Sequence, residues 1–128
     1  MPSESVSKLR IYPRKKYLEM IDIMDSLFKT TEKTKDDDTL STAALKLIEK
    51  AAKRGDEGLW CSDWKEHIKE LDISHSQYFH ILRVLKNSQI ITRSKGKFYL
   101  ITGFGQHLSL MAATFNMYMN NKGVLRIE

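Results

Sequence analysis

The sequence predicts a mainly α-helical chain with one small β-hairpin, an α+β arrangement. Three observations predict it. Apolar residues recur at helical spacing in several segments separated by short polar breaks. "IITRSKGKFYLIT", residues 90–102, sets two β-prone runs on either side of Lys95-Gly96, a hairpin signal. The chain has 128 residues, enough for one domain and hardly for two.

Residues 1–13 read as a flexible basic tail, and 14–122 as a single domain ending in a tail over 123–128. In "PRKKYLEMIDIMDSLFKT", Pro13 suits a helix start, and Tyr17, Ile21, Met24 and Phe28 share one side, predicting an N-terminal helix over 14–30. Leu18, Met20, Ile23 and Leu27 widen that surface, so burial on more than one side is expected. "TTEKTKDDDTL" reads as a charged loop. Its Asp36-Asp37-Asp38 run lacks the spaced ligands and turn glycine of a calcium loop.

A core over 41–102 follows. "STAALKLIEKAAKR" is a second helix, with Ser41 or Thr39 as cap and Gly55 as stop. "GLW" reads as a small strand or a turn. "SDWKEHIKEL" is a third helix, capped by Ser62 or Asp63, and "DIS" a short break. "HSQYFHILRVLKN" is a fourth helix whose start carries Ser74 and Gln77 at capping-box spacing. Its inward face is Tyr78, Leu82 and Leu85. Ser76, His80, Arg83 and Asn87 share the opposite one, with Gln77 and Val84 at its edge. After the hairpin, "GFGQHLSLMAATFNMYMNN" predicts a last helix over 103–121 with Thr102 as cap. Its Phe104, Leu108, Met111, Phe115 and Tyr118 form a seam of heptad type.

Composition and charge narrow the function. With 41% hydrophobic and 29% charged residues the chain is ordinary for a folded protein. No apolar run reaches the roughly 20 residues of a membrane span, and the N-terminus lacks a secretory signal, so a cytoplasmic location without membrane contact is expected. The net charge is +5, unevenly spread. Residues 1–72 hold 14 Lys and Arg against 15 Asp and Glu, whereas 73–127 hold seven cations (Arg83, Lys86, Arg93, Lys95, Lys97, Lys122, Arg126) and no acid. Such a distribution points to a partner with phosphates, or else to chance clustering on a solvated face.

The order helix, short strand or turn, helix, tight break, helix, hairpin leads further. "SHSQYFHILRVLKNSQIITRSKGKFYLITGFGQHL" resembles winged helix-turn-helix transcription regulators, particularly small archaeal and PadR- or MarR-like ones. The matching elements are "ILRVLKNSQII" and the exit "FYLITGFGQHL", and the resemblance covers roughly residues 41–119. It implies a recognition helix over about 75–88 in the major groove of double-stranded DNA. A wing over 93–97 would lie on the backbone or in a minor groove. Two departures stand out: Gln89 occupies a position where such proteins usually carry glycine, and Trp64 and His67 stand where small apolar residues are common.

Within that reading the DNA-binding candidates are Ser76, Gln77, His80, Arg83, Lys86, Arg93, Lys95 and Lys97. Arg83 suits guanine bidentately or a phosphate; Ser76 and Gln77 lie where base edges are reached, unless Gln77 is consumed by the cap. His80 lies on the presumed DNA face, or is a solvated surface histidine, and Lys86 suits a phosphate. Arg93, Lys95 and Lys97 would neutralise phosphates, or else guard the hairpin against edge-to-edge aggregation. A homodimer is expected through Tyr17, Ile21, Met24 and Phe28 on the first helix and Phe104, Leu108, Met111, Phe115 and Tyr118 on the last. In a monomer the two helices would instead pack on each other. One cysteine, Cys61, and the scattered His67, His75, His80 and His107 do not make a metal-ligand set, and no nucleophile–base spacing or phosphate loop appears. No cofactor, no metal and no catalysis are expected, and any small-molecule effector is left open. The competing function classes are a protein-interaction module within a transcription or other assembly, and a non-specific DNA-coating protein.

Overall fold

In the computed structural model, residues 16–28 and 38–123 are described. They form five helices and a three-stranded antiparallel sheet: α1 Met20–Phe28, α2 Asp38–Arg54, β1 Leu59–Trp60, α3 Trp64–Leu71, α4 His75–Asn87, β2 Ile91–Ser94, β3 Lys97–Leu100 and α5 Gly103–Asn121. The tail at 1–13, with Lys8, Arg10 and Pro13, lies outside the described residues, as do Arg14, Lys15, Asp36, Asp37 and residues 124–128.

The first helix begins later than its apolar periodicity predicts. Residues 16–19 are not helical, and the start is made at Met20 by Asp22, whose carboxylate accepts the backbone N–H groups of Leu18 and Glu19 at 3.1 and 3.0 Å. A carboxylate three residues into a helix folds back on donors that would otherwise be orphaned. α1 packs along α2, which buries Met24 (0% exposed), Leu27 and Phe28 (5%). Met24 and Phe28, expected at a dimer contact, are therefore core residues of their own chain. Ile21 is half-buried beside that core, and Tyr17 is exposed at its rim, its hydroxyl accepting from Ser26 Oγ at 2.9 Å.

α2 also starts ahead of the expected caps. Asp38 is already helical, which places Thr39 and Ser41 inside the helix, and Ser41 is buried. Gly55, at φ +52°, stops it and begins a single 3-10 turn to Glu57. Gly58 then brings the backbone against the ring of Tyr99. A Cβ there would lie 2.8 Å from Tyr99 Cε1, and φ is +73°, so only glycine fits. Two residues of strand follow, and β1 pairs Leu59 with Phe98 and Trp60 with Lys97. The sheet order is β1-β3-β2.

A 3-10 turn over Cys61–Asp63 leads into α3, with Asp63 as cap residue but no side-chain cap hydrogen bond. Asp72, at φ +54°, ends α3 in the left-handed region, its N–H bonding the carbonyls of Ile68 and Lys69. The break before α4 is thus three residues long.

The core lies between α1, α2, α4 and the inner side of the sheet. α4 contributes Tyr78, Ile81, Leu82, Val84 and Leu85, all buried. Val84, expected at the edge of the outward side, is 1% exposed and belongs to the core. No helix among the described residues is long and apolar enough to cross a membrane.

α5 is different. It is anchored at its root, where Phe104 N–H bonds Gln89 O at 3.0 Å and Phe104 packs on the core. Beyond Leu108 it leaves the body of the molecule, and none of its 19 residues is buried.

Candidate nucleic-acid interface

The strongest local signal in the sequence is realised at the start of α4. Ser74 Oγ accepts the Gln77 N–H at 3.1 Å, and Gln77 Oε1 accepts the Ser74 N–H at 2.9 Å. This reciprocal cap sets the helix start, and it ties Gln77. Gln77 is committed by its carbonyl oxygen, leaving its Nε2 for another contact. Ser76, His80, Arg83, Lys86 and Asn87 are all exposed. No carboxylate among the described residues pairs with Arg83. His80 sits over the end of α1, with its ring 6.0 Å from that of Phe28 in an edge-on arrangement.

Two sets of aromatic contacts hold α4 at a fixed angle to α3. On the exposed side, Trp64, His75 and Phe79 cluster with their rings edge-on or tilted, centroids 5.0 Å (Trp64–His75) and 4.7 Å (His75–Phe79) apart. Beneath it, His67 Nδ1 lies 2.8 Å from the Tyr78 hydroxyl; His67 is 2% exposed and Tyr78 fully buried. Burial, and secondarily the Lys50 ammonium, push the His67 pKa below its ordinary 6.5. Burial likewise pushes the Tyr78 hydroxyl upward. A neutral imidazole and a protonated phenol share one proton in one hydrogen bond, which is what a buried polar pair needs. Trp64 and His67, unusual beside the resembled family, thus form the joint between the two helices. Lys50 on α2 bonds both carboxylate oxygens of Glu70 on α3 at 2.9 and 3.0 Å.

The hairpin turn is made by Lys95 and Gly96, both at positive φ (+52° and +78°), the two-residue geometry that matches strand twist. Gly96 O also accepts the Cys61 N–H at 2.9 Å, joining the turn to the segment after β1. The three hairpin cations do not form one cluster. Register puts Lys97 opposite Trp60, and its ammonium lies 4.3 Å from the indole centroid. Arg93 is opposite Phe98, on the other side of the sheet; at the end of the hairpin it lines a shallow groove with Trp60, Cys61, Ser62 and Gly96. Lys95 stands at the tip, exposed. Sequence proximity grouped all three; side-chain alternation separates them.

The turn from α4 into β2 resolves the missing glycine. Gln89 itself takes φ +62°, with its N–H on Lys86 O at 3.1 Å and the next N–H, of Ile90, on Leu85 O at 2.9 Å. Its side chain lies over Gly103, where a Cβ would come within 2.5 Å of Gln89 Oε1. The glycine is needed one step away in space, at the root of α5, rather than in the turn. No spacing rule finds that exchange.

Among the described residues no group of three His, Cys, Asp or Glu is arranged to hold a metal ion. No curated protein and no solved structure matches the chain. Residues 17–121, from the residues before α1 to the last residue of α5, match a family described simply as archaeal, and the chain belongs to that archaeal family.

Proposed function

We propose that this protein binds double-stranded DNA as a homodimeric transcriptional regulator. In this reading α3 and α4 act as a helix-turn-helix and the β2–β3 hairpin as a wing. The observation that carries it is the outward side of α4. Ser76, His80, Arg83 and Lys86 are exposed on a helix whose other side is core, in a stretch with no acid from Ile73 to Ile127. A rigidly held helix with one polar, basic side is what major-groove reading requires. Arg93 and Lys95 supply phosphate contacts from the hairpin.

The dimer rests on α5. It is about 28 Å long at 1.5 Å per residue and holds no Asp, Glu, Lys or Arg. It leaves Leu110, Met111, Phe115, Met117 and Tyr118 half or more exposed. An exposed apolar surface of this kind marks an association site. A two-fold pair would set two α4 helices toward half-sites roughly 34–36 Å apart. A protein-interaction module would not need the acid-free side of α4.

Selection of bound sequences from random duplex DNA at two salt concentrations tests the reading. An enriched, two-fold symmetric site is expected. Arg83→Ala should then cost about 1–3 kcal/mol on that site and little on scrambled duplex, with the melting temperature unchanged. Equal loss on both duplexes would make Arg83 a phosphate contact. No duplex binding at low salt ends the reading.

A further inference from the structure

The outward side of the sheet is unused by the proposed duplex contacts. In an antiparallel sheet directly opposed residues point to the same side, and alternate residues to opposite sides. Leu59, Phe98 and Ile91 point inward and are buried. Trp60 opposite Lys97, Ser94 opposite Lys97, and Thr92 opposite Tyr99 therefore share the outward side. Trp60 is 46% exposed, and Lys97 and Tyr99 are partly exposed. The result is a patch of two aromatic side chains, one ammonium and three hydroxyls.

We propose that this outward side of the sheet, centred on Trp60, Lys97 and Tyr99, binds the unpaired bases of single-stranded nucleic acid. Three observations choose the occupant. Trp60 and Tyr99 stand on one side of a sheet, partly exposed; in a duplex the base faces are already stacked inside, so only unpaired bases offer a face to meet them. Lys97 stands over Trp60 at 4.3 Å, so an incoming base displaces the ammonium from the ring toward the phosphate of the same nucleotide. That exchange replaces an exposed cation–π contact with a base stack and an ion contact. The charge also fits, since this side carries Lys97, with Lys95 at the turn beside it, and β2, β3 and their turn hold no carboxylate. The carboxylates nearest in sequence are Asp56, Glu57 and Asp63, beyond the two ends of β1, and Glu57 is paired with Arg54 at 3.2 Å. Tyr99 is held in place by Gly58, whose missing Cβ leaves room for its ring. The site is separate from α4 and stands or falls independently of duplex binding.

The two tryptophans make it testable. In a Trp64→Phe variant, Trp60 is the sole indole. An oligothymidylate about 12 nucleotides long should quench its emission. An abasic strand of equal length, or polyglutamate, should not. In the otherwise unaltered chain, Trp60→Ala should weaken binding of labelled oligothymidylate about tenfold, with duplex affinity and melting temperature unchanged, and Trp60→Phe should restore most of it. The proposal is overturned if oligothymidylate does not bind, or if the abasic strand or polyglutamate quenches equally. It is also overturned if Trp60→Ala leaves oligothymidylate affinity intact or lowers single-strand and duplex affinity alike.

Discussion

α4 and α5 carry similar proportions of apolar residues and end in opposite environments. α4 buries Tyr78, Ile81, Leu82, Val84 and Leu85; α5 buries none of its residues. The difference lies in what each helix is given to pack on. α4 has its charge and its apolar residues on opposite sides, and lies against α2 and the sheet. α5 is tied down at Gly103 and Phe104 and leaves the body beyond Leu108, so Met111, Phe115 and Tyr118 of its seam stand exposed among the described residues. Helical periodicity states which residues share a side. It does not state whose atoms cover that side.

The contrast is sharpest in stability. Leu85 is fully buried, so Leu85→Ala should lower the unfolding free energy by about 3 kcal/mol, through lost transfer energy and the cavity left behind. Denaturant titration should find that loss at every protein concentration. A loss below about 1 kcal/mol would mean that α4 is not the core helix described here.

Phe115→Glu attacks the other helix. Phe115 is 62% exposed in the single chain, so the variant should stay folded. If α5 pairs with its copy, the substitution weakens association by roughly 2 kcal/mol or more, about thirtyfold in dissociation constant, visible by sedimentation. A wild-type chain that stays monomeric at high concentration breaks the dimer half of the proposal and leaves duplex binding to a single α4.

The smallest effect belongs to the joint between α3 and α4. His67 has a lowered pKa in the folded chain, so below its ordinary 6.5 the unfolded chain binds a proton that the folded chain resists. Stability should therefore be full above about pH 7 and fall as the pH drops through 6.5. Asp63, Glu70 and Glu66 oppose the shift without reversing it. Tyr78, raised by burial, adds a loss above pH 10, where only the unfolded phenol ionises. His67→Gln should flatten the acid limb. An unchanged limb would place the titrating group elsewhere.

What could be read directly was local. The capping box at Ser74 and Gln77, the Lys95-Gly96 turn, the stop at Gly55 and the inward side of α4 all depend on residues within two helical turns of one another. Local backbone geometry decides them whatever surrounds them. The start of α1 was misplaced because its apolar periodicity runs on ahead of the residue where its N–H groups are satisfied, and α2 starts ahead of its expected caps. Asp22 made α1 begin at Met20, and Asp38 is helical ahead of Thr39.

Other features belonged to the tertiary structure alone, since each joins residues far apart in the chain. Met24 and Phe28 became core because α2 lies over them. Arg93 and Lys97, four residues apart, went to opposite sides of the sheet because pairing with β1 and β3 set their register. Gln89 could take a left-handed turn because Gly103, fourteen residues on, leaves room for its side chain. By itself the sequence determined helix sides, turn chemistry and an acid-free C-terminal half. Only the packed chain decided what covers each side, because burial depends on partners that no local pattern names.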